Sequence, residues 1–174
     1  MFTNEQLSLA SNLLDLCKLQ KIIISTAESC TGGLIASCLT EIPGSSDVFD
    51  RGFIAYHNSA KNRMLNVSES LLLKYGAVSS QVAIKMAEGA VYYSRANLGI
   101  SCTGIAGPKS DNTNKPIGLV YIACSIANQN TNYIPDCAGT FDTRKCNISA
   151  PFTNGGYYVG TIENRQQNGF GTYT

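Results

Sequence analysis

Ile22-Ile23-Ile24 is a continuous β-branched run that passes into a cluster of small hydroxyl residues (Ser25, Thr26, Ser29, Thr31) and then a glycine pair, Gly32-Gly33. No other stretch constrains the fold as tightly. A strand that is apolar at successive positions must be covered on both faces, the condition of a strand inside a parallel sheet. The glycines stand where a helix opens over Leu34-Ile35-Ala36-Ser37-Cys38-Leu39, which stops ahead of Pro43 and Gly44. Strand, small-residue turn and helix N-terminus, in that order, present backbone N–H groups and the positive end of a helix dipole to an anion.

The alternation continues along the chain. Thr3 and Gln6 read as a capping box for a first helix, with Leu7, Ala10, Leu13, Leu14 and Cys17 facing inward. Gly52 to Tyr56 reads as a short strand, and Asn58 or Ser59 caps a brief helix carrying Lys61 and Met64. Ser68 to Lys74 forms another helix, with Gly76 in the left-handed position after its end. A long helix starts at Ser79 or Ser80 and runs to about Arg95, its inward stripe being Val82, Ala83, Met86, Ala90 and Tyr93. Leu98–Cys102 and Gly118–Cys124 are strands, joined through the small-residue loop Thr103–Pro108 and a polar loop over 109–115. Strands alternating with helices predict an α/β domain with a largely parallel sheet.

Composition narrows the function classes. At 174 residues the chain fits one domain with a real core, and its 44% apolar content is that of a soluble globular protein. A formal net charge of +1 without a Lys/Arg stripe gives no footprint for nucleic acid. No apolar run approaches the ~20 residues that cross a bilayer, and residues 1–20 are amphipathic, unlike a signal peptide; a soluble, cytoplasmic protein with no membrane partner is expected. The seven cysteines are odd in number and lack C-x-x-C spacing, which argues against a disulfide framework and a zinc site. The single histidine, His57, has no His or Cys neighbour to share a metal, so none is expected. Cys30, at the strand-to-helix turn, reads as a small packing residue, although it is the cysteine nearest the site.

From about Ala127 the pattern changes. Tyr133-Ile134 begins an edge strand before Pro135, and the glycines at 155, 156, 160, 169 and 171 rule out a closing helix. Gly156–Ile162 and Gly169–Tyr173, around a polar turn, read as a β-hairpin. The expected division is a domain over 1–146 and an atypical hairpin tail over 147–174.

The hydroxyl cluster is dense for a buried segment, since each unpaired polar group costs about 1–3 kcal/mol. Either these groups pair with one another or they face a ligand. Among the residues near them, the available base is Lys61, because a lysine whose pKa burial has lowered can deprotonate a serine. Tyr56, five residues earlier, can relay the proton. Thr31, Gly32 and Gly33 offer N–H groups to a phosphate, and Thr103, Gly104 and Gly107 form a second small-residue loop at a strand end, where ligands of open α/β sheets bind. Glu28 orients a hydroxyl, holds a ribose or caps the following helix. Each residue also has a plainer reading: Ser46 as a turn residue, Tyr56 as a half-buried aromatic, Lys61 as a surface charge.

Six segments carry a resemblance: Thr26–Gly33, Pro43–Ser46, Arg51-Gly52-Phe53 with Tyr56 and Lys61, Tyr75–Ser79, Thr103–Pro108 and Lys115–Val120. In this order and spacing, over about residues 5–126, the chain resembles the C-terminal domain of the competence/damage-inducible protein CinA, whose stand-alone bacterial forms are nicotinamide-nucleotide amidohydrolases. The resemblance implies a three-layer α/β/α fold and hydrolysis of nicotinamide mononucleotide to the nicotinic acid nucleotide and ammonia. It also implies no metal or other cofactor, and commonly a homodimer. It favours Ser46, Tyr56 and Lys61 as the catalytic group with Ser29 close by. On that basis Ser46 is the expected nucleophile and Lys61 the base, with Ser29 as an orienting or alternative nucleophilic hydroxyl. The tail departs from the family. Gly139–Arg144 only partly echoes its Phe-x-Gly-Asp/Thr-Arg segment, whose arginine, here Arg144, would contact phosphate, and the last stretch is similar to one MORN-type hairpin repeat. Two other classes stand beside the enzyme: a nucleotide-binding relative without turnover, and an interaction module that recruits a partner through the hairpin.

Overall fold

The computed structural model describes residues 2–108, 114–127, 132–134 and 156–162, the last two stretches as backbone strands. The elements are α1 (Asn4–Gln20), β1 (Ile24–Glu28), α2 (Leu34–Thr40), a 3₁₀ turn (Ser45–Asp47), β2 (Phe49–Ile54), α3 (Asn58–Leu65), α4 (Glu69–Tyr75), α5 (Ser80–Tyr92), β3 (Leu98–Gly104), β4 (Val120–Ile126), β5 (Asn132–Ile134) and β6 (Gly156–Ile162). The sheet order is β2-β1-β3-β4-β6-β5. β1 is parallel to both β2 and β3, β4 runs antiparallel to β3 and β6, and β5 is parallel to β6. This is the mixed, largely parallel sheet that the alternation predicts.

Because β1 pairs on both edges and is covered on both faces, all five of its residues are buried. Side chains alternate across it. Ile24 faces a layer made by α1 and α2, where Ala10, Leu14, Cys17 and Leu39 pack with Val48 and Leu98. Ala27 faces the opposite layer, where Val82, Met86 and Ala90 of α5 meet Leu65, Val67 and Leu72 from α3, α4 and the turn between them. The result is the three-layer α/β/α arrangement. Two glycines allow α5 to lie close: a Cβ on Gly89 would stand 2.3 Å from the Leu65 carbonyl oxygen, and one on Gly99 the same distance from that of Ala87.

Several boundaries differ from the sequence reading. β1 begins only at Ile24, so Ser25 and Thr26 lie inside the strand rather than past it. The Asn97 side chain accepts the Ile23 N–H, and the ladder to β2 starts one residue later, which sets that start. α5 ends at Tyr92, leaving Tyr93 outside the helix and 41% exposed instead of on the inward stripe. β3 extends to Gly104 and absorbs part of the expected loop. Gly76 has a positive φ of 76°, but its ψ of 159° is extended and not left-handed helical. Gly156–Ile162 forms the expected first strand of the tail, and its backbone pairs with β4. The second expected hairpin strand, 169–173, lies outside the described residues. Among the described residues no helix is long and apolar enough to cross a membrane.

Candidate active site

β1, β2 and β3 end together at the carboxyl edge of the sheet, and the site forms there. Ser29 follows β1 directly; its N–H donates to the Cys102 carbonyl on β3 at 2.9 Å, while the Ala55 N–H beyond β2 donates to the Glu28 carbonyl at 2.8 Å. The chain then turns into α3, capped by His57, whose Nδ1 accepts the Ser59 N–H. The cap is thus the residue before the two expected from sequence, because an imidazole nitrogen serves the same donor.

α3 directs Lys61 back under this edge, where only 1% of the residue is exposed. Its Nζ donates to the Ser29 hydroxyl at 2.9 Å, the Ala55 carbonyl at 2.9 Å and the Tyr56 carbonyl at 3.0 Å. Burial pushes the amine down from its ordinary pKa, partly offset by the nearby Cys30. The three acceptors are not equivalent. As an ammonium, Lys61 donates to all of them. As a neutral amine it has two N–H bonds and one lone pair, and only the Ser29 hydroxyl can donate to that lone pair, since carbonyls have no proton to give. Deprotonation therefore aims the amine at Ser29 as a base. The surface-charge reading of Lys61 does not hold.

The glycine turn behaves differently from its expected role. Glu28, 1% exposed, places its carboxylate on the N-terminus of α2. One oxygen accepts the N–H groups of Gly33 (3.1 Å) and Ile35 (3.0 Å), the other that of Ala36 (2.8 Å) and the Thr26 hydroxyl (3.1 Å). The Gly32 and Leu34 N–H groups donate to the Ser29 and Thr31 carbonyls. A built-in anion thus occupies the place where a phosphate was expected, and of the three readings of Glu28 the helix cap is the observed one. Thr31 differs from its neighbours: its hydroxyl oxygen is buried without a hydrogen-bond partner among the described residues.

The remaining expected residues take separate places. Ser46 lies in the 3₁₀ turn before β2, exposed, next to Asp47, which pairs with Lys18 of α1 at 3.5 Å. Phe49 registers with Ile24 at the start of β1, whereas Ile54 registers with Glu28 at its end. Ser46 and Lys61 are therefore separated by the six-residue length of β2, roughly 20 Å at ~3.3 Å per residue. Within one chain the structure does not bring the expected nucleophile to its base. Tyr56 contributes its carbonyl, while the residue is 70% exposed at the rim. The Thr103 hydroxyl donates to the Ala77 carbonyl at 2.9 Å, and a Cβ on Gly104 would stand 2.7 Å from the Leu119 carbonyl oxygen, so both serve packing at the end of β3. Gly107 has φ +88° in the following turn, beside Ile117. Arg144 lies outside the described residues.

One group escaped the sequence reading. Cys102, on β3, brings its sulfur to 3.5 Å from that of Cys30. The signal was the parallel pairing of β1 with β3, which sequence periodicity does not supply.

Comparison with known proteins matches residues 6–150 to the family model described as the CinA C-terminal domain. A CinA-like protein of Dictyoglomus thermophilum is 49% identical over 119 residues, covering 68% of this chain and 29% of that protein. The chain spans about a quarter of the length of several curated relatives that it matches. A protein of Enterobacter agglomerans named nicotinamide-nucleotide amidohydrolase PncC is 52% identical over 98 residues, 56% of this chain and 60% of that protein. The crystal structure of competence/damage inducible protein CihA from Agrobacterium tumefaciens superposes with a TM-score of 0.72 at 49% identity, covering 75% of this chain and 79% of that one.

Proposed function

The chain belongs to the CinA C-terminal domain family, and from that premise we propose that it hydrolyses the carboxamide of nicotinamide mononucleotide, giving nicotinic acid mononucleotide and ammonia. The observation that carries this reading is the buried Lys61 amine, 2.9 Å from the Ser29 hydroxyl and held by two carbonyls that leave its lone pair only that hydroxyl to face. The name of the Enterobacter relative supports the choice of amide.

Neutral Lys61 takes the Ser29 proton as Oγ attacks the carboxamide carbon. The resulting ammonium returns that proton to the departing nitrogen, and ammonia leaves an ester on Ser29. Water, deprotonated by the same amine, hydrolyses the ester to the carboxylate and restores the serine. One lysine thus acts as base and then as acid in each half of the reaction. Ser29 takes the nucleophile's role because, among the described residues, it is the serine within reach of the amine, and Ser46 is left with none. The buried Thr31 hydroxyl, without a hydrogen-bond partner among the described residues, is available to hold the substrate.

The test is ammonia release from nicotinamide mononucleotide by the purified chain, and its loss in Ser29→Ala. Full turnover in Ser29→Ala would remove the mechanism. Thermal stabilisation by the nucleotide without ammonia would instead identify a binding relative.

A further inference from the structure

We propose that Cys30 and Cys102 form a dithiol that hydroperoxides close to a disulfide at the shoulder of Ser29, making the carboxyl edge of β1 a site of reversible oxidation. The two sulfurs are 3.5 Å apart, and a disulfide requires them to draw together by about 1.5 Å. The main chain already supports this approach: Glu28 registers with Cys102 across the β1–β3 ladder, and the residue between Glu28 and Cys30 donates its N–H to the Cys102 carbonyl.

The two thiols differ in the way the chemistry needs. Cys30 is half-buried and reachable, whereas Cys102 is 1% exposed. The hydrogen bond from Cys102 holds the Cys30 thiol below its ordinary pKa against the cost of its burial; its own and the Thr31 backbone amides and the Lys61 charge add to this. The same hydrogen bond, with burial, pushes Cys102 far up. The described cysteines Cys17 and Cys124 are pushed up to about 11 by burial alone. Cys30 is thus the attacking sulfur and Cys102 the resolving one.

The Cys30 thiolate attacks a hydroperoxide oxygen, the O–O bond breaks, and a sulfenic acid forms as the alcohol (water, for hydrogen peroxide) leaves. Cys102 then attacks the Cys30 sulfur, the S–OH bond breaks, and water departs with the Cys102 proton. In sum, two thiols and one hydroperoxide give a disulfide, an alcohol and water. Ser29 precedes Cys30, so closing the bond shifts the main chain that holds its hydroxyl 2.9 Å from Lys61. The loss of turnover that follows rests on the amidohydrolase reading; the cross-link does not.

The experiment treats the full chain with hydrogen peroxide and maps its cysteines by mass spectrometry while following ammonia release. The expected result is a Cys30–Cys102 cross-linked peptide, loss of two free thiols and of most turnover, and recovery of both with dithiothreitol. Cys102→Ser retains basal turnover, forms no cross-link, and leaves Cys30 as a trappable sulfenic acid. Both thiols free after treatment, or Cys30 oxidised in the wild type without cross-linking, overturns the dithiol. A complete cross-link with undiminished turnover overturns its link to Ser29. A cross-link in a chain that never releases ammonia supports the dithiol and sinks only the amidohydrolase reading.

Discussion

The distinction between Ser29 and Ser46 is a matter of a single contact. A serine is an unremarkable alcohol until a base touches it, and among the described serines only Ser29 touches Lys61. Ser29→Ala is therefore expected to lower kcat by about 10,000-fold or more, whereas Ser46→Ala stays within about threefold, measured as ammonia release. The lysine adds a pH signature. Burial lowers its pKa from the ordinary ~10.4, so the neutral base accumulates as pH rises through the lowered value. The expected kcat/KM profile climbs with pH and levels above that pKa; a profile with no rising limb at any pH at which the protein stays folded would deny Lys61 the base's role. Stability follows the same sign. Between the lowered folded pKa and the ordinary unfolded one, the unfolded chain binds more protons, so this group's contribution to stability rises with pH across that window. Lysine, serine and tyrosine were legible as candidates in sequence. Which serine met the lysine was not, because both lie in small-residue turns of similar composition.

The element that most repays attention is the junction of β1 with α2. A helix as short as α2, seven residues, gains little from its own propensity; Glu28 supplies an anion to three of its first N–H groups. Glu28→Gln turns an N–H donor toward at least one of these donors. It is expected to lower the unfolding free energy by about 1–3 kcal/mol, read from urea denaturation, with a larger loss of turnover than of substrate affinity because Ser29 is the next residue. A midpoint equal to that of the wild type would show the cap to be dispensable. The packing of α5 gives the opposite of the usual expectation for glycine. Gly→Ala inside a helix ordinarily gains about 0.5–1 kcal/mol, but at Gly89 the new methyl meets the Leu65 carbonyl oxygen at 2.3 Å. Gly89→Ala is thus expected to destabilise by about 2 kcal/mol or more. The helix periodicities foretold both elements. They left the cap of α2 as one of three readings of Glu28; the choice among them follows from the alternation of β1 once its register is set.

At the scale of the molecule, β2 forms one edge of the sheet, and β4 pairs on both sides, with β3 and with β6. Deleting residues 147–174 removes β6 and opens a row of unpaired N–H and C=O groups on β4. A lower melting temperature and concentration-dependent aggregation are expected, while Ser29, Lys61 and Cys102 keep their contacts because β1, α3 and β3 lie on the other side of β4. A truncated chain with unchanged melting would make the pairing with β6 immaterial. By itself the sequence determined the alternation of strands and helices, the covered central strand, the family and the small set of side chains able to do chemistry; these depend on local periodicity and residue type, which a linear reading contains. The tertiary structure alone decided which serine receives the lysine, where the helix's anion comes from, and that two cysteines 72 positions apart share a contact. Those outcomes depend on strand register and on which face of a strand each side chain takes, and a shift of one residue in either would have reversed them.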